Sequence, residues 1–188
     1  RNMNLAEQRR IQAQEVSAIF QTIDQTQIDA LVDAIMQTDR IFISGWGRAG
    51  NVARILGMNC SQLGKLVFCV GDNGTPAIQP GNLLIIVSGS GNTKTISIIC
   101  QQAREHGANI ALISGNADSV MGKMADINVV IPRRLPGEVD LADGVVFEKR
   151  PYAFYEAAFM LNDYISTCIR RKTGQTLEDV KRFHNNLE

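Results

Sequence analysis

Hydrophobic positions divide the chain into a helical start, a strand-rich middle and a helical end. Between residues 26 and 38 the apolar side chains recur at helical spacing: Ile28, Leu31, Val32, Ile35 and Met36. Thr26 and Asp29 resemble a capping box at the start of this segment. Residues 4–23 carry a sparser pattern of the same period, which predicts an amphipathic helix outside the main fold.

Short apolar runs without polar alternation follow, at 41–44, 66–70, 83–87, 109–113 and 127–131. Such runs are typical of strands that are buried on both faces of a sheet. Helical patterns separate some of them, at 48–63 and 93–106, and His106-Gly107 is a helix stop. The alternation of strands and helices predicts a parallel sheet with right-handed crossovers.

The end of the chain reads as a loop and two helices. Prolines and glycines mark residues 132–151 as a long loop, a type that is often functional. Residues 152–172 form a mostly apolar helix that Gly174 ends. Apolar residues cover more than one stripe of it, so we expect burial on several sides, one of them in a dimer interface. Thr176 and Asp179 cap a short final helix.

Composition narrows the class of protein. The chain has 188 residues, of which 45% are hydrophobic and 20% charged, with a net charge of zero. That balance argues against a nucleic-acid surface. We expect a single domain over 1–188, divided into N-terminal helices (1–38), a sheet core (39–131), the loop (132–151) and C-terminal helices (152–188).

Cysteine usage and hydropathy suggest a location in the cell. Four cysteines form no CxxC pair and there are only two histidines, so the usual spacing of a zinc site is absent. Free thiols in a reducing compartment are the expected state. Neither a signal peptide nor an apolar run of membrane-spanning length is evident, so we expect a cytoplasmic protein without a membrane partner.

Two glycine-rich turns carry the candidate chemistry, and each follows a buried strand. They are Gly45-Trp46-Gly47-Arg48-Ala49-Gly50 and Ser88-Gly89-Ser90-Gly91-Asn92-Thr93. In the second turn Gly89 and Gly91 let backbone N–H groups converge, while hydroxyls and the helix that follows add donors and partial positive charge. We therefore expect a small phosphorylated ligand, with Ser88, Ser90 and Thr93 as donors and Asn92 as an auxiliary one.

These turns, with Gly71-Asp72-Asn73-Gly74-Thr75-Pro76 between them, resemble the sugar isomerase (SIS) domain. The closing Arg182-Phe183-His184-Asn185-Asn186-Leu187-Glu188 is similar to the end of the 6-phospho-3-hexuloisomerases in that family. The resemblance implies an α/β fold, with a doubly wound, flavodoxin-like sheet of five parallel strands in the order 2-1-3-4-5. Strands 1 and 3 are then neighbours at the switch point, where ligands bind.

The resemblance also implies site residues in the turn at 45–50 and in the turn at 71–76. Gly45 and Gly47 bring the chain close to the ligand, and Arg48 faces the sugar or its phosphate. Asp72 and Thr75 contact sugar hydroxyls. Four positions depart from the family pattern. Ala49 stands where the family has a serine, Asp72 keeps a carboxylate where it has a glutamate, and two residues replace threonines, namely Asn73 and Gly74.

Aldose–ketose isomerisation moves a proton between adjacent carbons through an enediol and needs a general base. The family motif Pro-Met-Gly-Thr-x-Phe-Glu aligns in two ways. Counting forward from Pro132 makes Glu148 the base, which we favour slightly. Counting back from His184 puts the motif glutamate on Tyr155, beside Glu156. The resemblance further implies that His184 reaches a neighbouring subunit's site and assists ring opening or proton transfer.

The sequence supports two functions of different class. One is a phosphosugar isomerase without metal or organic cofactor, with the interconversion of 6-phospho-3-hexulose and fructose 6-phosphate as the specific prediction. The alternative is a sensor that binds a sugar phosphate without turnover, although no output domain is evident. A homo-oligomer is expected in either case, and the resemblance suggests a tetramer built from dimers.

Overall fold

The structure of the protein is a computed structural model that describes residues 4–132 and 152–187. Within these residues the elements are α1 Leu5–Gln21, α2 Gln25–Gln37, β1 Arg40–Ser44, α3 Gly47–Gln62, β2 Leu66–Cys69, β3 Leu83–Ser88, α4 Lys94–Glu105, β4 Asn109–Ser114, α5 Val120–Met124, β5 Ile127–Val130, α6 Tyr152–Thr173 and α7 Leu177–Arg182. The predicted strands are confirmed to within one residue at each end. The predicted loop lies outside the described residues from position 133 to 151.

The strands form one parallel sheet in the order β2-β1-β3-β4-β5, as the sequence predicted. Every residue of β3 is buried, because this central strand is covered on both faces. Alternate side chains of β3 enter two separate cores: Ile85 and Val87 enter the first, and Leu84 and Ile86 the second. An apolar run without alternation is therefore the correct signal for this strand.

Helices α1, α2, α3 and α6 cover one face of the sheet, and α4 and α5 cover the other. The expectation that the first helix lies outside the main fold is wrong. Ile19 of α1 is 1% exposed and packs in the same core as Leu161 and Ile165 of α6. Helices α1 and α3 of the same chain, not a second subunit, therefore cover two sides of α6. Part of α6 stays exposed, at Phe159, Met160 and Tyr164.

Three helix ends test the predicted capping. Asp24, not Thr26, caps α2, because its carboxylate accepts a hydrogen bond from the Thr26 N–H at 2.7 Å. The predicted box of Thr176 and Asp179 is confirmed, with both reciprocal bonds present. Gly107, with a φ of 76°, follows the end of α4 as predicted.

Helix α5 was not predicted. It has five residues with Gly122 near its middle, so its sequence carries almost no helical signal. Ser119 caps it by accepting a hydrogen bond from the Gly122 N–H at 3.0 Å. No helix in the described ranges combines the length and apolar character that a membrane crossing requires.

Candidate functional site

A cavity of about 320 Å³ lies at the carboxyl edge of the sheet, where β1 and β3 end side by side. It is lined by residues from both glycine turns and from the start of α6: Trp46, Ala49, Val87, Ser88, Gly89, Ser90, Thr93, Ile96, Phe154 and Tyr155. The volume is at the lower end of the range for small-molecule sites, roughly 300–1,000 Å³. The two turns that the sequence singled out therefore meet at one cavity, at the predicted switch point.

The turn after β3 is held in shape by its own hydrogen bonds. The Ser88 hydroxyl is buried and accepts from the Gly91 N–H at 3.1 Å, and the Ser90 hydroxyl accepts from the Asn92 N–H at 3.1 Å. Gly91 has a φ of 67°, and a Cβ there would overlap the Ser119 side chain. Only glycine suits this position.

Asn92 connects this turn to α5. Its side-chain oxygen accepts from the Val120 N–H at 2.9 Å, and its amide donates to the Ser90 carbonyl at 3.2 Å. Both ends of the side chain are thus engaged within the fold. Asn92 positions the turn, and it does not line the cavity.

Helix α4 presents its N-terminus to the cavity. Thr93 is the N-cap residue, but its hydroxyl makes no capping hydrogen bond. The N–H groups of the first helical turn therefore lack the side-chain acceptor that usually satisfies them. An anion in the cavity would supply such an acceptor.

The turn after β1 depends on close backbone contact. A Cβ on Gly45 would lie 2.9 Å from the Val87 carbonyl oxygen, and one on Gly50 would lie 2.8 Å from the Gly45 carbonyl oxygen. Gly47 adopts a φ of 57°. These glycines bring the start of α3 against β3, so that Ala49 reaches the cavity wall.

Arg48 and Tyr155 meet beside the cavity. The guanidinium carbon of Arg48 lies 4.3 Å from the centre of the Tyr155 ring, a cation–π contact. The sequence had assigned Arg48 to the site but had treated Tyr155 and Phe154 as part of an apolar helix. One alignment of the family motif did place the glutamate position on Tyr155, and that was the available signal.

Asp72 and Thr75 do not line the cavity. The Asp72 carboxylate pairs with Arg54 at 3.0 Å, and the hydrogen bond from Arg54 lowers the pKa of this carboxyl. The Thr75 hydroxyl donates to the Cys69 carbonyl at 2.6 Å. Asp72 thus has a partner in α3 and Thr75 one at the end of β2, and their contact with a sugar stays a prediction.

The two candidate bases differ in what the structure describes. Glu148 lies outside the described residues. Glu156 is half-buried in the first turns of α6, directly after Tyr155. Its Oε2 is buried and has no hydrogen-bond partner among the described residues. Glu156 is not among the residues that line the cavity, so its part as the base stays a prediction.

His184 lies far from the cavity of its own chain. It is exposed, with Nδ1 3.1 Å from the Asn185 carbonyl oxygen. The neighbouring Phe183 ring lies over Gly64, which follows the far end of α3. The cavity is at the other end of this helix, whose 16 residues span about 24 Å. His184 could therefore serve a cavity only in another copy of the chain.

Fold and site together define an α/β protein with a glycine–serine turn at the switch point of its sheet. A family model described as the SIS domain matches residues 34–135. The chain belongs to this family, and the resemblance inferred from the motifs is confirmed.

Particular relatives resemble nearly the whole chain. The chain is 32% identical to a Mycobacterium gastri protein named 3-hexulose-6-phosphate isomerase over 177 residues, an alignment that covers 93% of this chain and 86% of the relative. A protein of the same name from Methylomonas aminofaciens is 34% identical over 164 residues, covering 85% and 87%. A Methanococcus jannaschii crystal structure that infers a molecular function of 3-hexulose-6-phosphate isomerase is 26% identical, with a TM-score of 0.80 and coverage of 97% and 99%.

Proposed function

We propose that the protein is a phosphosugar isomerase, and that it interconverts 6-phospho-3-hexulose and fructose 6-phosphate. The observation that carries the proposal is the cavity at the switch point, where the Ser88–Thr93 turn and the uncapped start of α4 face the same space. The names of the relatives support the choice of substrate.

Phosphate binding is assigned to Ser88, Ser90 and Thr93, together with backbone N–H groups of the turn. The phosphate does not react, so its binding energy serves to position the reacting carbons. Tyr155 lines the cavity beside this turn and is placed to contact the ligand, and Arg48 is stacked on its ring.

The reaction moves the carbonyl between C2 and C3 of the hexulose phosphate. From fructose 6-phosphate, a base removes the proton on C3, and the electron pair forms the C2–C3 double bond of the enediol as O2 takes up a proton. The proton then returns to C2 while O3 loses its proton and becomes the carbonyl. Glu156 and Glu148 are the candidates for the base, and this cycle consumes no cofactor.

A homo-oligomer, a dimer or a tetramer, accompanies this proposal, as does a cytoplasmic location. Two observations support the oligomer. His184 is at the opposite end of the sheet from its own cavity, so its proposed part in ring opening requires a second copy. Phe159 of α6 is 47% exposed and Met160 is 40% exposed, which leaves an apolar surface to cover.

The test is proton exchange in heavy water. Fructose 6-phosphate incubated with the enzyme should lose the NMR signal of its C3 proton and form the 3-hexulose. Glu156→Gln and Glu148→Gln, compared with the exposed control Glu178→Gln, then identify the base: the correct variant loses exchange but still binds fructose 6-phosphate. Binding by the unmodified protein without any exchange would refute the isomerase and favour the sensor.

A further inference from the structure

Two contacts fix the ring of Tyr155. Its ring lies under the Arg48 guanidinium at 4.3 Å. It meets the Phe154 ring edge-on, with ring centres 5.2 Å apart and an angle of 89° between their planes. Both contacts use the ring and neither requires the hydroxyl. The direction of the phenol oxygen is therefore set before any ligand binds.

The phenol oxygen lies over the glycine–serine turn. A Cβ built on Gly89 would be 3.4 Å from Tyr155 Oη, and Gly89 lies between Ser88 and Ser90, the assigned phosphate donors. Tyr155, Ser88, Gly89 and Ser90 all line the same cavity. Because Gly89 has no side chain, no side-chain atom of this residue separates the turn from the phenol oxygen.

We propose that the Tyr155 hydroxyl is a phosphate-binding group, donating a hydrogen bond to a phosphate oxygen held on the Ser88–Thr93 turn. The inference rests on the proposed function and deepens it. Donation to a charged oxygen is a strong form of hydrogen bond. Arg48, stacked on the same ring, adds positive charge beside the anion.

The experiment compares Tyr155→Phe with the unmodified protein, using inorganic phosphate and fructose 6-phosphate as separate probes in phosphorus NMR titrations. The variant keeps the ring, so the Arg48 and Phe154 contacts and the fold remain. Loss of a hydrogen bond to a charged group should weaken binding about tenfold or more, by the same factor for both probes. Tyr164→Phe is the matched control, because that phenol lies on the same helix but donates to Gln25 at 2.9 Å.

Three results would count against the inference in distinguishable ways. Unchanged affinity of Tyr155→Phe for both probes would refute a contact with the ligand. Weaker binding of fructose 6-phosphate alone would place the hydroxyl on the sugar and refute the phosphate assignment. Absence of binding of either probe to the unmodified protein would instead refute the proposed function itself.

Discussion

Exchanging Gly89 and Gly91 one at a time for alanine should separate the fold of the Ser88–Thr93 turn from the phosphate binding that we propose for it. Gly91 has a φ of 67°, and a Cβ there would overlap Ser119, which caps α5. The left-handed conformation costs a non-glycine residue about 1–2 kcal/mol. Forcing extra atoms into a packed site costs about 1–3 kcal/mol more. Gly91→Ala should therefore lower the free energy of unfolding by at least about 2 kcal/mol.

Gly89→Ala should behave in the opposite way. Gly89 has no positive φ, and the added Cβ would contact Tyr155 at an ordinary distance of 3.4 Å. Such a substitution changes the unfolding free energy little, or raises it by about 0.4–1 kcal/mol, because the unfolded chain loses freedom. The methyl group would nevertheless project into the cavity toward the Tyr155 hydroxyl, which we propose binds the phosphate.

Urea denaturation and phosphate titration of both variants provide the test. We expect Gly89→Ala to unfold at or above the urea midpoint of the unmodified protein and to bind fructose 6-phosphate at least about tenfold more weakly. If Gly89→Ala binds the ligand normally, the phosphate does not lie on this turn. If Gly91→Ala is as stable as the unmodified protein, the packing argument fails.

Three further predictions concern the thiols, the tryptophan and the helix caps. Burial raises the pKa of Cys60 from 9.0 to about 12 and that of Cys100 from 9.0 to about 11, so their thiolate fractions are about 1,000-fold and 100-fold lower than those of free thiols. Mass spectrometry after alkylation of the native protein at about pH 8 should find both cysteines unmodified. Prompt labelling of either thiol would contradict this burial. Trp46 is the only tryptophan of the chain, lines the cavity and is 77% exposed. Saturating fructose 6-phosphate should therefore reduce the quenching of tryptophan fluorescence by acrylamide. Unchanged quenching would show that the ligand does not cover Trp46. Hydrogen bonds from Thr26 lower the pKa of Asp24 in the folded protein, so the cap stabilises the fold at pH values above the pKa of the unfolded chain and loses this effect as the pH falls through the folded-state pKa. In thermal melts, Asp24→Asn should therefore lose less stability in acid than the unmodified protein. An identical pH profile would refute the role of Asp24 as a charged cap.

The strands and the two glycine turns were predictable because their signals are local. A strand buried on both faces must be apolar at every position, and β3 meets that requirement from Leu83 to Val87. A turn that crosses close to another backbone needs glycine, as Gly45 and Gly50 show. The local signals failed where a segment was short or its cap ambiguous, as at α5 and at the start of α2.

The sequence by itself determined the fold class, the family motifs and the position of the Ser88–Thr93 turn, because each depends on neighbouring residues in the chain. Tertiary packing alone decided which distant residues complete the cavity. Helix α6 lies along α1 and α3, and that packing brings Tyr155 over Gly89 and under Arg48. The same packing buries Ile19 of α1 and leaves His184 at the far end of α3. Helical periodicity shows which face of a segment is apolar, but which element covers that face depends on contacts between residues far apart in sequence.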